Sequence, residues 1–149
     1  MDSADKIATI RDMRPEDSGG IARIYTEITK KPVEDDFDKL IQAHAVGKDS
    51  ACFVAELDGK VIGFMISYIL TLGFGIDKSG WIATLGVDPR HMGQGIGGRL
   101  AEETFKVYKD QGIARVYTSV RWDSTDLLSF FGKLNFERSD FINLTKTLE

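Results

Sequence analysis

The sequence predicts an α/β fold with a mixed central sheet of six to seven strands and about four flanking helices. Two observations predict it. Short runs of alternating or β-branched residues recur along the 149 residues, and stretches with apolar residues at helical spacing lie between them. Their order is strand, two helices, three strands, helix, strand, helix and one or two closing strands, as in an α/β domain. No repeat or low-complexity linker divides the chain, so residues 1–149 read as one domain.

Lys6 to Arg11 is largely β-branched and alternating, a first strand. Pro15, Glu16 and Asp17 mark the opening turn of a helix that carries Ile21, Ile24, Tyr25 and Ile28 on one face. Lys31-Pro32 ends it. A second helix follows the acids Glu34, Asp35, Asp36 and Asp38, with Phe37, Leu40, Ile41 and Ala45 as its apolar stripe. Ala51–Leu57 and Lys60–Leu70 form a hairpin around Asp58-Gly59, a strong two-residue turn signal. Leu72, Phe74 and Ile76 are large apolar residues in a glycine-rich loop, so they should cover a core, a partner copy in a homodimer, or an acceptor wall. Trp81–Val87 alternates as a strand with one buried face. A long helix runs to Gly112, Ala114–Val120 is a strand, Ser124–Leu134 a helix, and Phe136–Leu148 supplies the final strands.

Composition narrows the partners. The chain is 42% hydrophobic with a net charge of −4, which argues against nucleic acid. The apolar run Val61–Leu72 is too short to span a bilayer, and the polar start Met1–Asp5 does not resemble a signal peptide. A single cysteine, Cys52, fits a reducing cytoplasm and reads as a small buried hydrophobe. Two histidines and one cysteine, far apart, give no metal spacing.

The stretch with most chemistry is Leu85-Gly86-Val87-Asp88-Pro89-Arg90-His91-Met92-Gly93-Gln94-Gly95-Ile96-Gly97-Gly98. A strand breaks at Asp-Pro, passes through closely spaced glycines and becomes a helix. The first amides of a helix have no internal partners and sit at the positive end of its dipole, a site suited to a diphosphate. A dinucleotide fingerprint would need an acid at the end of the next strand, and residues 115–120 contain none. A mononucleotide loop needs Gly-Lys-Ser/Thr, which does not occur.

The stretch resembles the acetyl-coenzyme A loop of the GNAT superfamily of N-acetyltransferases, Q/R-x-x-G-x-G/A after a strand ending in V-x-P. Val87-Asp88-Pro89 supplies the strand end, and Met92-Gly93-Gln94-Gly95-Ile96-Gly97 aligns with the loop. Met92 replaces the family's Gln or Arg. The resemblance implies a GNAT-like fold and acetyl-CoA as co-substrate, without a metal. It also implies an amine acceptor, a small molecule or a peptide amine, attacked directly in a ternary complex. By the same resemblance Leu85, Gly86 and Val87 border the pantetheine, Met92 to Gly98 the pyrophosphate, and Ser124 stands where a family asparagine contacts the pantetheine arm. Phe131 stands in Phe130-Phe131-Gly132-Lys133-Leu134-Asn135-Phe136 where the family has a general-acid tyrosine. The strand 81–87 also lacks the family's glutamate. Asp123 and Asp126 are the nearest replacement acids, although capping of the following helix explains them equally well. Glu27, the acid cluster at 34–38 and Phe74 border the expected acceptor side. The two missing groups keep a second reading open, an acyl-CoA-binding sensor without catalysis.

Overall fold

The computed structural model describes residues 7–34, 36–45, 49–71 and 77–149. Leu72, Phe74, Ile76 and Asp35, all named above, lie outside the described residues. Five strands form one sheet in the order β1-β2-β3-β4-β5: β1 (Thr9–Asp12), β2 (Ser50–Leu57), β3 (Lys60–Leu70), β4 (Ser79–Val87) and β5 (Val116–Thr118). The first four pair antiparallel and β5 lies parallel to β4. The helices are α1 (Ser18–Thr29), α2 (Phe37–Ala45), α3 (Ile96–Asp110) and α4 (Thr125–Lys133).

The β2–β3 hairpin forms at the predicted turn. Asp58 and Gly59 both take positive φ, 53° and 78°, which matches the twist of the flanking strands. Each sheet face carries its own core. On one, α3 and α4 bury Ile96, Leu100, Tyr108 and Phe131 against Ile62, Met65 and Ile82. On the other, α1 and α2 bury Ile21, Ile24 and Ile41 against Cys52, Val54, Phe64 and Ile66. Cys52 is buried as expected.

Two expectations need correction. The sheet has five strands among the described residues rather than six or seven, and no strand follows β5. Residues 137–149 are exposed instead of paired. Ser139 gives a physical reason: its hydroxyl accepts the Phe141 N–H at 3.1 Å and so takes a donor that a ladder would need. Phe141 only leans edge-on against Tyr117, and the Asn143 side chain reaches Ser119 Oγ at 3.4 Å. β5 is also shorter than the Ala114–Val120 run predicted.

Candidate active site

Strand β4 is the axis of the site, and it changes sides halfway along. In a strand, successive residues turn their N–H and C=O to opposite edges. The Gly80 N–H donates to the Arg115 carbonyl, where the chain enters β5, at 3.0 Å. The Asp88 N–H donates to the Ile62 carbonyl in β3 at 2.8 Å. Residues eight apart in an unbroken strand would face the same way. The register explains the switch: Ile66 lies opposite Thr84 but Ser67 opposite Ile82, so Ala83 is an extra residue in a bulge. Beyond it, Leu85 and Val87 turn their backbone groups away from β3. Since β5 ends at Thr118, opposite Ile82, no described strand meets them there. The two strands part at that rung and leave a fork.

At the far end of β4 the chain enters a 3-10 turn, Pro89–His91, then the glycine loop, then α3. Asp88 anchors this corner, a role that sequence reasoning missed by reading it only as the residue before proline. It is 1% exposed. Its carboxylate accepts the Arg90 N–H and the Arg23 guanidinium, both at 3.0 Å, and Arg23 also donates to the Val61 carbonyl at 2.8 Å. Burial alone would raise the Asp88 pKa, but the Arg90 N–H and Arg23 outweigh it and hold it below the ordinary 3.8. One ion pair thus ties α1, β3 and the entrance of the loop together.

Among the described residues the loop's first two glycines face open space. Gly93 and Gly95 take φ of 82° and 77°, and no Cβ at either would meet an atom within 4 Å. Gly95 caps α3, whose start has no side-chain cap and no acid in its first turn. The four glycines differ in what requires them. A Cβ on Gly97 would come within 2.8 Å of the Phe130 ring, so α4 packing dictates that glycine. A Cβ on Gly98 would meet nothing within 4 Å, although Gly98 lies inside a helix where glycine costs about 1 kcal/mol relative to alanine. Nothing among the described residues requires a glycine at 98. Gln94 is exposed, whereas Ile96 is buried against Gly63 and offers a ligand only its backbone. Met92 is 56% exposed at the end of the turn, and Gly86 is buried, held to glycine by Phe64 at 2.8 Å.

The remaining residues singled out in the sequence spread around the fork. Ser124 precedes α4, and its side chain makes no cap bond. Phe131 is 5% exposed, with its ring against Phe130 and Phe136. Asp123 is fully exposed and bonded to Arg121 at 3.0 and 3.1 Å, and that guanidinium holds its carboxyl below the ordinary value. Such a carboxylate is a poorer proton acceptor at neutral pH. Asp126 is exposed in the first turn of α4, where the helix dipole favours an acid. Glu27 sits between Arg23 and Arg90, at 3.4 Å from each, and so is already paired. Asp38 accepts from Gln42 at 2.7 Å and from Ser18. Around the foot of the fork Trp81 stacks on Tyr117 with ring centroids 4.9 Å apart, and its buried Nε1 has no partner among the described residues. No group of acids, histidines or cysteines among the described residues could hold a metal, and no described helix is long and apolar enough to cross a membrane.

Comparison with known proteins places this architecture. An aminoglycoside N-acetyltransferase, AAC(6')-Iy, solved in complex with CoA, superposes with a TM-score of 0.84 at 15% identity, over 99% of each chain. The aminoglycoside acetyltransferase meta-AAC0020 from an uncultured soil metagenomic sample, in complex with sisomicin, gives 0.79 at 21% identity, over 95% of this chain and 97% of the other. At that identity the likeness is one of fold. By sequence, the mycothiol acetyltransferase of Amycolatopsis mediterranei is 32% identical over 91 residues, 59% of this chain and 30% of that protein. An N-alpha-acetyltransferase of Sulfurisphaera tokodaii is 28% identical over 102 residues, 63% of this chain and 60% of that protein. The matches therefore span less than two thirds of either relative. Residues 19–136, from the first turn of α1 to just past α4, match the acetyltransferase (GNAT) family, and the chain belongs to that family.

Proposed function

We propose that the protein is an N-acetyltransferase that moves an acetyl group from acetyl-coenzyme A to a primary amine by direct attack. Gly98 carries the proposal. A first-turn glycine that no described residue requires, beside amides without a side-chain cap, fits a diphosphate brought against the backbone. Amides from Gly93 to Gly98 would hold the pyrophosphate, and Leu85 and Val87 would pair with the pantetheine as a further strand would. The acetyl group, supplied by the coenzyme, then lies at the fork, where strand amides can stabilise its oxyanion. Met92 in place of Gln or Arg removes a side-chain contact and leaves the amides in charge of binding.

The amine must lose a proton before it attacks. For a lysine-like amine of pKa ~10.4 this costs roughly 4–5 kcal/mol at pH 7. β4 carries no acid, so the proton leaves through water or through a group on the acceptor side. The names of the relatives run from N-alpha to aminoglycoside acetylation, so the acceptor classes to assay are peptide N-termini, aminoglycosides, polyamines and amino acids.

Phe131 favours one competing reading. A buried phenylalanine cannot donate a proton to the departing thiolate, as an acyl-CoA sensor without catalysis would tolerate. A thiol pKa near ~8.5 nevertheless makes thiolate an adequate leaving group without an acid. Titration calorimetry with coenzyme A, followed by thiol release across those four acceptor classes, separates the two. Binding with turnover supports the enzyme, and binding without turnover on any amine supports the sensor. Absence of coenzyme binding removes both.

A further inference from the structure

We infer that Thr118 is a positioning residue that fixes the vertex of the β4–β5 fork. The inference rests on the acetyltransferase reading and concerns how the thioester is aimed. Register places Ile82 opposite Thr118 as the last β4–β5 rung, and the Ala83 bulge begins at the next residue. At that rung the Thr118 hydroxyl donates to the Ile82 carbonyl at 3.0 Å. Each end of a ladder tends to fray, because its terminal rung has a neighbour on one side only. β5 is three residues long, so its pairing has little length to resist peeling. A side-chain bond to the terminal carbonyl strengthens the one rung whose position decides where the strands part. One step below, Trp81 stacks on Tyr117 and holds the rung from beneath.

The consequence is geometric. If the terminal rung opens, the vertex moves down β4 by a residue, about 3.3 Å. The backbone groups beyond the bulge then face a wider cleft, and a displacement of 1 Å at reacting atoms can cost a hundredfold in rate. Coenzyme affinity should change little, because the diphosphate is held at the other end of β4. Thr118 therefore acts on kcat while leaving binding nearly alone.

The test compares Thr118→Val, which keeps the shape and loses the hydroxyl, with Thr118→Ser, which keeps the hydroxyl. Thr118→Ala serves as a second hydroxyl-free variant should the valine fold poorly. Coenzyme A affinity by calorimetry should stay within twofold of the parent in all three. With acetyl-CoA and the best acceptor of the panel, kcat should fall about tenfold in Val and Ala with KM within twofold, and return to within twofold in Ser. Amide hydrogen exchange at residues 118–120 should quicken in Val and Ala but not in Ser. A valine variant with parental kcat overturns the inference. So does a serine variant as slow as valine, or a loss that appears in KM alone. The exchange arm reads the vertex even if no acetyl group moves, so parental exchange in valine overturns it independently. A parent chain that neither binds coenzyme nor turns over sinks the acetyltransferase reading instead.

Discussion

Two helix starts in this protein share one problem, amides without a side-chain cap, in different surroundings. Ahead of α1, Asp17 is buried, accepts the Arg11 guanidinium at 2.8 and 2.9 Å, and takes the Arg14 N–H at 2.7 Å. The carboxylate before α1 is thus satisfied by the turn that precedes the helix, not by the helix's own amides. Neither helix has a side-chain cap bond or an acid in its first turn, but α3 follows a loop in which Gly93 and Gly95 take positive φ and face open space. Both starts have free amides at the positive end of a dipole. The difference lies in what precedes each helix, a turn built round a buried ion pair or an open glycine loop.

The comparison breaks most visibly at Asp17. Asp17→Ala leaves the Arg11 guanidinium paired with Glu56, and losing the charged hydrogen bonds of this part-buried pair should cost about 1.5–3 kcal/mol. Denaturant unfolding should show that loss. Coenzyme affinity, measured under conditions where the variant stays folded, should remain within about threefold. A larger drop would mean that the two starts are not independent. The same pair sets an acid limit. Burial alone would raise the Asp17 pKa, but its bonds to Arg11 and Arg14 hold it below the ordinary 3.8. A group depressed on folding contributes stability that is complete above its unfolded value and is lost as pH falls through the folded one. Stability should therefore decline below about pH 4, and in Asp17→Asn that part of the decline should disappear. An unchanged acid limb in the variant would assign the loss to other carboxylates.

Second in size is Gly98→Asp at the open start. An acid in the first turn of a helix is favourable by about 0.3–1 kcal/mol, and replacing a helical glycine adds to that. The ligand-free protein should thus melt slightly higher. Coenzyme binding should nevertheless fall at least a hundredfold, because a carboxylate occupies the phosphate position. Opposite signs in one variant are the signature to look for. If stability and affinity move together, Gly98 is a structural glycine and the open start is no site.

Gly97 sharpens the contrast. The loop string alone does not distinguish Gly95 from Gly97. The structure separates them, since a Cβ at 97 meets Phe130. Gly97→Ala should cost about 1–3 kcal/mol through overpacking, whereas Gly98→Ala should cost nothing and stabilise by up to about 1 kcal/mol. Thermal melting of the two alanine variants checks this directly.

What the sequence made legible follows from range. Alternation and turn chemistry act over a few residues, so Lys60–Leu70 and the Asp58-Gly59 turn were placed as observed. The turn from strand through glycines into a helix was legible because Asp-Pro and glycine act on the backbone locally. The bulge at Ala83 was not, because an extra residue shows only against a partner strand. Asp88 looked like a turn residue, since its partner Arg23 lies 65 positions away. The closing strands were overpredicted for a different, local reason: Phe141, Ile142 and Leu144 carry a strand pattern, but a serine two residues before Phe141 accepts its amide.

The smallest effect concerns the C-terminal end of α4, where the chain again closes its own groups. Asn135 takes φ of 67°, and the Phe136 N–H reaches back to the Phe131 carbonyl at 3.0 Å, the bond that ends a helix on a left-handed residue. At the equivalent end of α3 that conformation falls to Gly112, with φ of 73°. Asparagine tolerates the left-handed region better than other side chains but still pays for its Cβ. Asn135→Gly relieves that strain and loosens the unfolded chain, two terms of opposite sign. The net gain should be about 0.5 kcal/mol, roughly 1–2 °C in melting temperature for a domain of this size. Phe136 packs on Phe131 and Phe105, within the core beneath the fork, so the substitution also tests whether that core is rigid. If coenzyme affinity stays level while melting rises, the helix end is a closed structural detail. If affinity shifts with it, the packing of α4 reaches the open loop through Phe130 and Gly97, and the two kinds of helix end are coupled after all.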